Sequence, residues 1–145
     1  MSLPNRLFFC LLVLCCCSGC ATARQWIPNI SSVAQGCPSD KACIYVMRPA
    51  LIGSAIHFVV YDNNKGVGET GPRSYLAWQR EPGEVTLVSQ AENNARISFT
   101  AEEGQIYYVL QSVEIGFMTS RNSLKLISED QAFKYLKACH LAVGK

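Results

Sequence analysis

From residue 42 onward the apolar side chains recur at every second position. Ile97 and Phe99 alternate with Arg96, Ser98 and Thr100, while Ile56, Phe58 and Val60 alternate with His57, Val59 and Tyr61. Ile106, Tyr108 and Leu110 alternate in the same way with Tyr107, Val109 and Gln111. A two-residue period puts successive side chains on opposite faces of an extended backbone, so these runs read as strands. Further runs at 43–48, 75–79, 85–90 and 124–127 bring the predicted strands to seven. The gaps at 62–66, 81–83, 92–94 and 102–104 hold Asn, Asp, Glu, Pro and Gly, residues that favour turns. Short strands so spaced predict a mostly β fold, a single seven-stranded antiparallel β-sandwich.

The period changes once, after residue 127. Ser128 and Gln131 have the spacing of a capping box, in which each side chain bonds the other's backbone amide. Glu129 and Asp130 suit the positive end of a helix dipole, and Lys134 and Lys137 the negative end. Ala132, Leu136 and Cys139 share one helical face, which predicts one short C-terminal helix with Cys139 turned inward.

The first twenty residues follow another rule. Arg6 precedes an apolar run at 7–17, and Ser18-Gly19-Cys20 ends it. Eleven apolar residues are too few to span a bilayer, and the layout is that of an export signal. Residues 18–20 resemble the lipobox of bacterial lipoproteins, although Cys17 stands where that pattern usually has Leu. The resemblance implies cleavage before Cys20 and acylation of Cys20, with palmitate-type chains fixing the protein to a membrane. Ala21 in place of Asp implies the outer membrane, with the domain in the periplasm. Two other readings stand beside it: a secreted chain cut near Ala21 or Ala23 that keeps Cys20 for a disulfide, and a palmitoylated eukaryotic anchor. The chain then divides into a signal peptide at 1–19, a lipidated N-terminus and tether at 20–41, and a β-sandwich domain with its helix at 42–145. The tether is rich in Ser, Pro, Gly and Asn and as a coil would span roughly 25 Å.

Removing the signal takes away Arg6, and 12 basic then face 11 acidic side chains, a balance that gives no reason to expect nucleic acid as a partner. Of eight cysteines, Cys10, Cys15, Cys16 and Cys17 leave with the signal and Cys20 is acylated, so Cys37, Cys43 and Cys139 remain for one disulfide. A Cys37–Cys43 bridge closes about seven residues and contributes roughly 2.4 kcal/mol by loop entropy. A Cys37–Cys139 bridge closes about a hundred and contributes roughly 4.7 kcal/mol. Both pairings stay open, as does Cys139 as a buried free thiol. The three cysteines lack a Cys-x-x-Cys pair, so neither metal nor other cofactor is expected.

His57 and His140 are the ordinary candidate bases, and no Gly-x-Ser-x-Gly elbow, phosphate loop or His-Glu-x-x-His appears, so no catalytic residue is assigned. Candidate binding surfaces are the apolar segment containing Phe117 and Met118, and the strand carrying Trp78 and Arg80. Each also fits ordinary packing.

The run Ala42-Cys43-Ile44-Tyr45-Val46-Met47-Arg48-Pro49 is followed by Tyr61-Asp62, Glu81-Pro82-Gly83-Glu84 and Gly104-Gln105-Ile106-Tyr107-Tyr108. In that order behind a lipobox, these pieces resemble the DUF2846 family of bacterial lipoproteins. Asn63-Asn64-Lys65-Gly66 stands where that pattern has a glycine turn and predicts a longer loop. The resemblance implies an all-β domain facing the periplasm and carries no activity with it. The expectation is a lipid-anchored, non-catalytic interaction or structural module of the bacterial envelope, held to the membrane through Cys20 and meeting an envelope protein. A small-ligand or glycan receptor is the alternative, and a hydrolase a more distant one.

Overall fold

The computed structural model describes residues 22–30, 36–53, 55–115 and 120–144; Cys20, Phe117 and Met118 lie outside them. The strands are β1 (Arg24–Gln25), β2 (Ala42–Arg48), β3 (Phe58–Asp62), β4 (Lys65–Thr70), β5 (Ser74–Arg80), β6 (Gly83–Gln90), β7 (Asn94–Ala101), β8 (Ile106–Ile115) and β9 (Ser120–Ile127). Helix α1 (Glu129–Leu136) follows, and then the short strands β10 (His140–Leu141) and β11 (Val143–Gly144). One sheet has the order β11-β1-β4-β3-β6-β7, the other β10-β5-β2-β8-β9.

The fold is mostly β with one short helix, but the seven-stranded antiparallel sandwich needs correcting. Eleven strands are described, in sheets of six and five, and β2–β8, β1–β11 and β5–β10 pair in parallel. β4 escaped the pattern because Gly66 and Gly68 interrupt its alternation. Gly68 is there for contact: a Cβ on it would sit 2.4 Å from the Arg24 carbonyl oxygen, so only glycine lets β1 lie against β4. The longer loop expected after Asp62 is also corrected. Asp62 pairs with Lys65, leaving a two-residue turn with φ of 46° at Asn63 and 67° at Asn64, values asparagine tolerates.

β2 is buried along its whole length because it packs on both faces. Ala42, Ile44 and Val46 join Val60, Val67, Leu87 and Trp78 in the core between the sheets. Cys43, Tyr45 and Met47 join Ile30, Ala77, Tyr108 and Cys139 in a second cluster, which includes Ala132 of α1. The capping box forms as its spacing predicts, with Ser128 Oγ accepting from the Gln131 amide and Gln131 Oε1 from that of Ser128.

Residues 23–30 are not tether. Gln25 is fully buried, accepting from the Ala77 amide at 2.9 Å and donating to the Ala77 carbonyl at 2.8 Å. The Ile30 amide also donates to the Ala77 carbonyl. The domain therefore begins no later than Ala23, well before residue 42.

The strand registers give the molecule two ends. Arg24 lies opposite Glu69, and Phe58 opposite Thr70. The chain thus enters the fold at the end that carries loop 49–57 and turn 71–73, here termed the proximal end. The Asn63-Asn64 turn, Glu81 and turn 102–105 mark the distal end.

Candidate functional site

At the distal end β5 brings Trp78 and Arg80 to the same side of the strand. The Trp78 indole is buried among both sheets and its Nε1 donates to Asp62 Oδ2 at 3.0 Å, so Trp78 as an exposed anchor is overturned. Its inward direction follows from the face it shares with Leu76, two residues back on β5, and with Ile44, its partner on β2. Arg80 donates to Asp62 Oδ1 at 2.5 Å, to the Glu81 carbonyl at 2.9 Å and to the Glu84 carbonyl at 3.1 Å. Asp62 thereby holds both sequence-predicted residues in place. Lys41 ion-pairs with Glu81, whose carboxylate holds the ammonium above its usual pKa.

Asp62, Trp78, Arg80 and Glu81 border an open cleft of about 460 Å³ that Ile27, Lys65 and Gln79 also line. A smaller hollow of about 340 Å³ shares those three residues and extends to Asn29 and Lys41. One wall is the segment 27–30, invisible as a site element while it reads as tether. Arg80, Lys41, Asp62 and Glu81 are each engaged by a partner.

The proximal end centres on a residue that pattern reading passed over. Arg48 closes β2 and is fully buried, and among the described residues no carboxylate forms an ion pair with it. Its Nη1 donates to the carbonyls of Ile56 at 2.6 Å and Thr70 at 3.3 Å, and its Nη2 to those of Ile52 at 3.1 Å and Gly53 at 2.8 Å. The guanidinium stacks 4.4 Å from the Phe58 ring centre. Burial pushes its pKa down to about 10, which leaves it charged at neutral pH. Beneath it Thr70 Oγ1 donates to Gln111 Oε1, and Gln111 Nε2 to Ser89 Oγ, each at 2.5 Å. A long cation ending an apolar strand was the available signal. Above Arg48, loop 49–57 exposes Leu51 and Ile52 by 54% and 50%.

His57 Nδ1 lies 3.2 Å from Glu69 Oε2 on an exposed stretch of β4 and the chain before β3. Neither lines the distal cleft, and among the described residues no Ser, Thr or Cys side chain bonds to either histidine. The disulfide joins Cys37 to Cys43, with a Cα–Cα distance of 5.7 Å, and leaves Cys139 free. The Lys41 amide bonds the Pro38 carbonyl in a tight turn that returns Cys37 to β2, so the longer Cys37–Cys139 link is overturned. Burial pushes the Cys139 thiol up to about 11. Among the described residues no three His, Cys, Asp or Glu side chains gather as a metal site.

The family described as "Protein of unknown function (DUF2846)" matches residues 38–122, from just before β2 into β9. The chain is similar to an uncharacterised protein of Haemophilus influenzae, 24% identical over 131 residues that cover 88% of this chain and 78% of that one. No solved structure matches it.

Proposed function

The chain belongs to the DUF2846 family, and on that premise we propose that it is a lipid-anchored, non-catalytic interaction module of the bacterial envelope that meets a protein partner at its distal cleft. The anchor is Cys20, read from the lipobox-like Ser18-Gly19-Cys20; no helix among the described residues is long and apolar enough to cross a membrane. The observation that carries the interaction reading is the cleft itself. Its ion pairs fix a rigid border, while Lys65 and Gln79 stay exposed on it. Small-ligand pockets bury apolar and aromatic surface, and here the one aromatic, Trp78, is only 1% exposed. The glycan reading is correspondingly weaker.

The test is a photocrosslinking amino acid at Gln79 in cells of the source organism, with a second at Arg96 on β7 as control. Expected is a discrete protein adduct from Gln79 alone, lost on Lys65→Glu. No adduct, or one that Lys65→Glu leaves unchanged, refutes the cleft as the contact. Intact mass compared with Cys20→Ser checks the anchor separately.

A further inference from the structure

We infer that the proximal end lies flat against the lipid bilayer, with Leu51 and Ile52 set among the headgroups beside the anchor. This rests on acylation of Cys20. Ala23 is already packed into the fold, so three residue steps separate the acylated cysteine from the folded body. Fully extended, they reach about 11 Å. The anchor therefore leaves the domain almost no freedom to choose which end meets the membrane.

The end so chosen carries the features a bilayer surface selects. β1 runs antiparallel to β4, and β4 to β3, so the entry point beside Thr70 and Phe58 is where loop 49–57 and turn 71–73 also emerge. Leu51 and Ile52 are adjacent large apolar side chains left half exposed at the tip of that loop. Their backbone is not free to fold them away. Arg48 takes the carbonyls of Ile52, Gly53 and Ile56 from beneath and so fixes the backbone from which Leu51 and Ile52 project. Arg24 and Arg73 are exposed at the same end, close enough to anionic headgroups to fall within a Debye length of about 8 Å. Glu69, the acid opposite Arg24, is engaged by His57. Apolar tip, flanking cations and a short leash together fit a lipid surface better than an aqueous partner.

The test uses the full acylated protein extracted from membranes, carrying Cys139→Ala. An environment-sensitive fluorophore is placed on Ala55→Cys, which keeps Leu51 and Ile52, or on Glu103→Cys at the distal end. The protein is reconstituted into vesicles of phosphatidylethanolamine and phosphatidylglycerol with a spin-labelled lipid. Expected is several-fold stronger quenching at position 55 than at position 103, reduced by the double change Leu51→Asp and Ile52→Asp. Equal quenching at both positions in protein of confirmed acyl mass overturns the orientation and leaves the anchor standing. A label at position 55 shielded from iodide yet unquenched by lipid also overturns it, in favour of a protein cover. A chain without acyl mass removes the anchor, and the orientation with it.

Discussion

Replacing Arg48 tests how the proximal end is held. Arg48→Met keeps the buried length of the side chain but removes every donor to the carbonyls of Ile52, Gly53, Ile56 and Thr70. The first two sit in an exposed loop and can turn to water. The Thr70 carbonyl stays buried and that of Ile56 partly so, and a buried polar group left unpaired costs about 1–3 kcal/mol. Relief of the charge's own desolvation offsets part of that, so the net loss is about 3 kcal/mol, or roughly 10 °C in Tm. Arg48→Lys is the sharper half of the experiment. Its three donors radiate from one point on a shorter stem and cannot serve carbonyls spread around a planar fork, while the charge stays buried. It should be at least as unstable as the methionine variant. Urea unfolding gives the loss as a lower midpoint at unchanged slope, and amide exchange should quicken in 49–57. A lysine variant as stable as the parent, or both variants within about 0.5 kcal/mol of it, would refute the carbonyl cage.

Gln25→Ala should cost about 2–3 kcal/mol, because it orphans the Ala77 amide inside the second sheet; a urea midpoint equal to that of the parent would return 23–30 to the status of tether. Alkali should also destabilise the fold. Cys139 titrates near 9.0 unfolded and about 11 folded, Tyr45 near 10.0 and about 12, and burial moves Tyr75 and Tyr108 the same way. The folded chain thus keeps protons that the unfolded chain has released, so stability is full below pH 9 and falls as pH rises from there toward 12. Arg48 opposes this only above about 10, where the folded form loses its proton first. A Tm unchanged between about pH 8 and pH 10 would contradict the shifts.

What could be read in advance was local. The capping box depends on two side chains three residues apart, and it formed. The strands at 43–48, 85–90 and 106–111 carry their own periods, and β2, β6 and β8 cover them. The pairing of β2 with β8 joins Cys43 to Ile106 and leaves no mark on either segment. The short β1 offers two residues, too few for any period, and its pairing with β4 and β11 makes it a strand. Within the site, the sequence marks Trp78 and Arg80 but not the directions of their side chains. Alternation sorts side chains between two faces without saying which face is covered, and here both faces of β5 are. Arg48 was hidden for the opposite reason. A charge reads as surface, and only the ring and carbonyls gathered from five other positions make its burial tolerable.

The alignment of Arg24 with Val143 sets an order of events in the making of the protein. On one side β1 has a neighbour from the far end of the described residues. Until residues 143–144 emerge, every nascent chain carries β1 with that side unpaired, an invitation to other copies. Pairing along that side of β1 therefore waits for a segment more than a hundred residues away, and a chain cut before Val143 leaves the side open.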